Sequence, residues 1–148
     1  MNNSGIKKTA PLLAGDRPPS GYTRDPEYNG MIKDVDVLVA MRDNVNLCID
    51  IYRPEADGKF PVLLAFAIYN KDLQGPDVAE HLPAQPAWST LWAGPLEAGD
   101  TKFLVSRGYV HIIGCPRGIG KSEDGGSREW DCYDLIEWIA EQPWCDGN

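Results

Sequence analysis

The sequence predicts an α/β fold in which an antiparallel hairpin is followed by parallel strands with flanking helices. Residues 45–52 alternate between apolar and polar side chains, a period of two that marks a strand with one apolar face, and 35–40 is a strand-like run before it. Residues 61–68 and 109–113 are short apolar runs without alternation, which is typical of strands buried on both faces. A helical period over 131–142 completes a strand–helix order that favours a mixed sheet.

The first two strands are joined by Arg42-Asp43-Asn44, whose Asp and Asn tolerate the left-handed backbone of a tight turn. We therefore expect a β-hairpin whose second strand is half-buried. One face would carry Val45, Leu47, Ile49 and Ile51, and the other Asn46, Cys48, Asp50 and Tyr52.

Two helices are predicted after the third strand. Residues 100–107 form the shorter one, with Asp100 as its N-cap and Gly108 in the left-handed position after its end. The longer helix, over 131–142, would begin at an N-cap Asp131 and stop before Pro143. Its core face would consist of Leu135, Ile136, Ile139 and Ala140.

Length and composition predict one globular domain, residues 31–148, preceded by an extended N-terminal arm over residues 1–30. A net charge of −8 argues against a nucleic-acid partner, because phosphate binding needs clustered Lys and Arg. No run of 18 apolar residues and no apolar leader segment are present, so we expect a cytoplasmic protein without a membrane partner.

The four cysteines include no C-x-x-C pair, and only two histidines accompany them, so no metal site is expected. Free thiols in a reducing compartment are the default interpretation, although sequence alone leaves disulfide pairing open.

The glycine-rich stretch after residue 113 invites comparison with a phosphate-binding loop, which requires G-x-x-x-x-G-K-[ST]. If Gly120 is the second glycine of that motif, the first glycine should stand at position 115, which is occupied by Cys115. Pro116 also lacks a backbone N–H that such a loop needs as a donor. We therefore interpret the loop as structural.

No nucleophile is evident within the chain. A G-x-S-x-G motif is absent, and Ser122 is better explained as a loop hydroxyl that bonds nearby backbone. Cys145 would need a histidine partner. His111 lies in a predicted buried strand as a core residue, and His81, in a long loop, is expected to be solvated.

Three segments together resemble one family: R-G-x-G-x-S at Arg117–Ser122, Tyr133-Asp134 at the head of the long helix, and W-C-D-G-N at 144–148. The family is the cocaine-esterase and X-Pro dipeptidyl-peptidase group (S15-like, CocE/NonD) of serine hydrolases. Over about residues 35–148, the resemblance implies the N-terminal half of an α/β-hydrolase sheet. One departure is Cys115, where the family often has Asp.

The resemblance also implies an activity: hydrolysis of ester or amide bonds, including X-Pro peptide bonds, by acyl transfer from a serine without cofactor or metal. In this family W-C-D-G-N leads into the turn that carries the serine. Nucleophile, acid and base are therefore expected beyond Asn148, which would leave the chain truncated before the nucleophile and inactive alone.

Tyr69 is the only residue to which the resemblance gives a chemical role. Ile68-Tyr69-Asn70-Lys71 matches a family segment, x-Y-[ND]-K, whose tyrosine donates its hydroxyl to the oxyanion. Without the resemblance, an aromatic that covers the end of the core would be the preferred interpretation. Trp88 and Trp92 are candidates for the substrate pocket, whereas the other three tryptophans are expected to pack.

A second hypothesis is a noncatalytic interaction module. The strand edge from Val62 to Ile68 would be open and apolar, which favours self-association or a protein partner. A cloned fragment or truncated gene is a third interpretation that the sequence leaves open.

Overall fold

The computed structural model describes residues 25–79 and 97–148. Their centre is a four-stranded sheet in the order β1-β2-β4-β3, with β1 Met31–Ala40, β2 Asn46–Pro54, β3 Val62–Phe66 and β4 Val110–Gly114. The β1–β2 and β2–β4 pairs are antiparallel, and β3 is parallel to β4. The predicted antiparallel start and parallel continuation are confirmed.

Helices cover both faces of this sheet. They are α1 Pro76–Ala79, α2 Thr101–Val105 and α3 Asp131–Ala140, and a 3₁₀ turn spans Lys71–Leu73. The main core packs α3 against one sheet face, and Val105 of α2 belongs to a smaller cluster on the other. Within the described ranges, no helix is long and apolar enough to cross a membrane.

The predicted caps of α2 are confirmed. Asp100 accepts a hydrogen bond from the Phe103 N–H at 2.9 Å, and Gly108 has φ +83° after the helix. After the helix, the Gly108 N–H donates to the Val105 carbonyl at 3.1 Å and the Tyr109 N–H to the Leu104 carbonyl at 3.3 Å, so backbone groups at both ends are satisfied. The helix itself spans Thr101–Val105 and is shorter than the predicted range 100–107.

The hairpin forms as predicted, and Asn44 takes the left-handed conformation in its turn, with φ +64°. β1 is longer than expected, because a bulge between Asp34 and Val37 lets the strand continue to Met31. Asp36 is the bulged residue and also has positive φ, +59°. The part of the arm that is described, residues 25–30, contains no helix or strand.

Two burial predictions are wrong. β2 is buried on both faces rather than one, because the polypeptide around the 3₁₀ turn and α2 covers the side that carries Asp50 and Tyr52. β3 is only partly buried, since it pairs with β4 on one side only, and Leu63 is 40% exposed.

The start and core face of α3 also differ from expectation. Asp131 is the first helical residue instead of the N-cap, because its carboxylate binds Arg117. Ile136 and Ala140 are exposed, so the core face narrows to Leu135 and Ile139, with Trp138 packed beside it. Positions 135 and 139 are one helical turn apart, so a single i, i+4 pair forms the face that is buried against the sheet.

Residues 144–148 run beside the first part of β3. The Phe60 N–H donates to the Trp144 carbonyl at 2.9 Å, and the Asp146 N–H donates to the Phe60 carbonyl at 3.1 Å. The Val62 N–H donates to the Asn148 carbonyl at 2.8 Å. A parallel bridge between Phe60 and Cys145 belongs to the same contact, so this segment adds to the sheet next to β3.

Candidate functional site

Tyr69 lies at the carboxyl edge of the two parallel strands. β3 and β4 end at Phe66 and Gly114, which are register partners, and Tyr69 follows three residues after Phe66. Ligand sites of open α/β sheets collect at this edge. The tyrosine is 46% exposed, and among the described residues its hydroxyl has no hydrogen-bond partner. The position suits a side chain that acts on a bound molecule.

Two side chains hold the backbone at and after Tyr69: the buried Gln74 and the capping Asn70. Gln74 is buried, and its Nε2 donates to the Tyr69 carbonyl at 3.0 Å, while its Oε1 accepts from the Ala98 N–H at 3.1 Å. Asn70 caps the 3₁₀ turn, since its Oδ1 accepts from the Asp72 N–H at 3.0 Å. The Tyr69 carbonyl and the turn that follows it are therefore held in place by hydrogen bonds.

Lys71 anchors the same segment through a buried ammonium. The residue is 1% exposed, and its Nζ lies 2.7 Å from Asp36, 2.9 Å from Asp50 and 2.8 Å from Asp72. Burial lowers the pKa of Lys71, but the hydrogen bonds to Asp36, Asp72 and Asp50 outweigh it, so this pKa lies above its usual value. Lys71 is therefore a permanent cation and not a proton acceptor.

The β1 bulge supplies one partner of this cation. Asp36 also pairs with Lys121 of the glycine-rich loop, and its backbone N–H donates to Asp50 at 2.9 Å. Hydrogen bonds from Lys121 and Lys71 lower the pKa of Asp36 to about 2. Its carboxylate thus joins β1, the Tyr69 segment and the glycine-rich loop at neutral pH.

The glycine-rich loop borders the Tyr69 segment. A Cβ on Gly120, where φ is +57°, would lie 2.8 Å from Asn70 Oδ1, so only glycine permits this approach. The Sγ of Cys115, the departure from the family pattern, accepts the Lys71 backbone N–H at 3.2 Å. Ser122 donates to the Cys115 carbonyl at 2.7 Å and accepts from the Cys48 N–H at 2.8 Å, which confirms its structural interpretation.

Arg117 holds the other side of this loop. It is 1% exposed and makes bidentate ion pairs with Asp131, at 2.6–2.9 Å, and with Asp43, at 2.7 and 2.9 Å. A further bond reaches the Gly125 carbonyl at 2.9 Å. Hydrogen bonds to Asp131 and Asp43 raise the pKa of Arg117, so its guanidinium stays charged. We therefore assign these ion pairs a structural role.

The other titratable candidates lie in the core. Burial lowers the pKa of His111 to about 4, and its Nδ1 lies 3.0 Å from Thr101 Oγ1, so His111 is a neutral core residue, as predicted. Burial raises the pKa of the Cys48 thiol to about 11 and that of Cys115 above its usual value, which leaves both thiols protonated. Cys145 packs in the main core.

All four cysteines are free thiols. In the ranges that the structure describes, no group of His, Cys, Asp or Glu could hold a metal ion. Trp88, Trp92 and His81 lie outside the described residues.

Sequence reasoning missed the anchoring role of Lys71 and Gln74. A lysine directly after a buried strand suggests a solvated turn, because its partner Asp36 is 35 positions away. The available signal was the pairing of a lysine with two aspartates, Asp36 and Asp50, on predicted neighbouring strands.

The sheet order, the added segment beside β3 and the tyrosine at the carboxyl edge define the N-terminal part of an α/β-hydrolase fold. A model of the X-Pro dipeptidyl-peptidase (S15) family matches residues 43–148. The chain therefore belongs to this family.

Individual relatives agree with the family assignment. Cocaine esterase from Rhodococcus sp. (strain MB1 Bresler) is 41% identical over 116 residues, 76% of this chain but 17% of the esterase. A CocE/NonD family hydrolase from Staphylococcus aureus superposes with a TM-score of 0.63 at 36% identity, over 80% of this chain and 22% of that one. The chain thus spans about a fifth of the relatives it matches.

A more distant solved structure shows the fold alone. It is an alpha-amino acid ester hydrolase that is 22% identical, with a TM-score of 0.58 over 95% of this chain and 24% of that chain.

Proposed function

We propose that residues 31–148 are the N-terminal portion of the catalytic domain of a serine hydrolase that cleaves ester or amide bonds by acyl transfer. In this proposal Tyr69 donates its hydroxyl to the oxyanion of the tetrahedral intermediate. The nucleophilic serine, the histidine base and the acid are supplied by polypeptide beyond Asn148, and the 148-residue chain alone is inactive. Trp88 and Trp92 remain the candidates for the substrate pocket.

The observation that carries the proposal is the setting of Tyr69. A half-exposed phenol follows the carboxyl end of a parallel strand, on a backbone that Gln74 and Lys71 hold in place. An oxyanion donor accelerates the reaction only when it is fixed before charge develops, because then no reorganisation is required. Membership of the S15 family supports the same reaction class.

Replacing Tyr69 by Phe tests the proposal in a form of the protein that continues beyond Asn148 through the serine, base and acid. We expect kcat on a p-nitrophenyl ester to fall by about 10² or more with little change in the folded state, because one oxyanion donor is lost. Tyr109→Phe is the matched control, since it removes the same kind of hydroxyl from the residue directly before β4, at the opposite end of the parallel strands. An unchanged kcat in Tyr69→Phe would remove Tyr69 from the mechanism.

A second candidate, a self-associating module, is favoured by one observation. Leu63 of the outer strand β3 is 40% exposed, and Ile68, two residues after the end of that strand, is 73% exposed. Apolar side chains on an edge strand favour pairing with another chain. This candidate concerns the 148-residue chain and is compatible with the proposed hydrolase role.

A further inference from the structure

We propose that Lys71 is a positioning residue for Tyr69: its buried ammonium, held by three carboxylates, fixes the backbone that aims the phenol at the oxyanion. This inference rests on the proposed role of Tyr69. In this inference Lys71 affects kcat through the position of Tyr69, without itself contacting the substrate or the reacting atoms.

The first step of the argument is geometric. Lys71 lies two residues after Tyr69, at the start of the 3₁₀ turn Lys71–Leu73, and its backbone N–H donates to the Cys115 Sγ at 3.2 Å. Its Nζ reaches Asp36 on β1 and Asp50 on β2. Lys71 therefore connects the segment that follows β3 to β1, to β2 and to Cys115, the residue directly after β4.

The second step is energetic. A lysine that is 1% exposed has left water, and only the carboxylates around it compensate for the lost hydration. Movement of the turn would separate this charge from Asp50, whose side chain is only 6% exposed, and a low local dielectric makes that contact strong. The ion cluster therefore resists displacement of the segment more than exposed pairs would.

The third step is chemical. Two of the carboxylates, Asp36 and Asp50, lie on β1 and β2, outside the segment after β3 that carries Tyr69 and Lys71. An oxyanion donor misplaced by about 1 Å can cost about 10² in rate. Loss of the ammonium should therefore reduce kcat through Tyr69, with a smaller effect on substrate binding.

A double-mutant cycle in the longer, serine-bearing form of the protein tests the inference, with Lys71→Met and Tyr69→Phe alone and combined. We expect Lys71→Met to lower kcat about tenfold or more, with KM changed less than about threefold. In the Tyr69→Phe background, Lys71→Met should lower kcat by less than about twofold, because its effect passes through the lost hydroxyl. Equal losses in both backgrounds would overturn the inference.

If Lys71→Met does not fold, Asp72→Asn provides a second test of the same ion cluster. Asp72 is a partner of Lys71 with a 48% exposed side chain, so the change weakens the cluster at small risk to the fold. We expect a smaller fall in kcat that also disappears in the Tyr69→Phe background. Lys33→Met is the matched control, because Lys33 also forms an ion pair, with the 80% exposed side chain of Asp77, but takes no part in the Lys71 cluster. Its kcat should stay within about twofold of the parent.

The outcomes separate this inference from the function on which it rests. If Tyr69→Phe leaves kcat unchanged, the proposed function fails. If Tyr69→Phe lowers kcat but Lys71→Met and Asp72→Asn do not, or do so independently of residue 69, only the positioning role fails.

Discussion

Two buried cations organise the polar part of this protein. Lys71 and Arg117 are each 1% exposed. Apart from Asp72, which neighbours Lys71 in the 3₁₀ turn, the carboxylates that pair with them come from other segments of the chain. Burying a charge is unfavourable unless partners and hydrogen bonds replace its hydration. The contacts of both cations therefore specify where loops sit, in addition to any stability that they add.

His111 should make stability depend on pH. Burial lowers its pKa to about 4, whereas an unfolded histidine has a pKa near 6.5. The unfolded chain therefore binds a proton between these values while the folded chain does not. Stability from this residue is complete above about pH 6.5 and decreases as pH falls to about 4, by about 3 kcal/mol in total.

Urea unfolding between pH 7.5 and 4 checks this prediction. His111→Gln should remove about one proton from the pH slope of the unfolding free energy in that window, because the glutamine side chain does not titrate. Only one other histidine, His81, remains in that variant, so the difference between the two slopes reports His111. Identical slopes would mean that His111 takes up its proton at the same pH in the folded and unfolded states.

The sequence identified the residue classes but not the long-range partners. Tyr69 and His111 could be placed because each is set by its own strand, at the end or in the middle of an apolar run. Lys71 and Arg117 could not, since their burial depends on aspartates that, apart from Asp72, lie 14 to 74 positions away. Local patterns treat such charges as solvated.

At the scale of elements, Arg117 joins three segments that are distant in sequence. Asp43 lies in the β1–β2 turn, Gly125 in the glycine-rich loop and Asp131 at the start of α3. A Cβ on Gly126, where φ is +62°, would clash with both Asp43 and the guanidinium. The loop and the helix start are thus built around one ion-paired side chain.

Arg117→Met should destabilise the protein by about 3–5 kcal/mol, because Asp131 then remains buried without its partner. Thermal and urea unfolding measure the loss. Adding Asp131→Asn to Arg117→Met should recover part of it, since no uncompensated charge remains. Arg42→Met is the matched control and should cost less, because the Arg42 side chain that pairs with Asp134 is 47% exposed. Equal losses for the two arginines would contradict the structural role of Arg117.

The elements themselves were largely predictable. Turn chemistry at Asn44, the Asp100 cap and Gly108 all act within a few residues, and each was found where the sequence predicts it. The errors concern burial: Ile136 is exposed and both faces of β2 are covered. Burial depends on which segments pack across the sheet, and a local period does not report that.

At the scale of the whole molecule, the two outer strands of the sheet differ. β1 carries the Asp36 bulge and the charged residues Lys33 and Asp34, features that discourage pairing with another chain. On β3, residues 144–148 pair beside the first part of the strand, up to Val62. Beyond Val62, the described residues leave the outer edge of β3 unpaired, and Leu63 is exposed there.

The 148-residue chain should therefore self-associate through β3. Light scattering across a range of protein concentrations should show a mass that rises with concentration, because an apolar, unbulged edge strand favours pairing with a second copy. Leu63→Lys should shift the chain towards monomer, since a charge on that edge opposes strand pairing. Leu38→Lys is the matched control: Leu38 is 58% exposed but lies on the bulged strand β1, so its mass profile should match that of the parent chain. A monomer at every concentration would rule out association, and dissociation by Leu38→Lys alone would move the interface to β1.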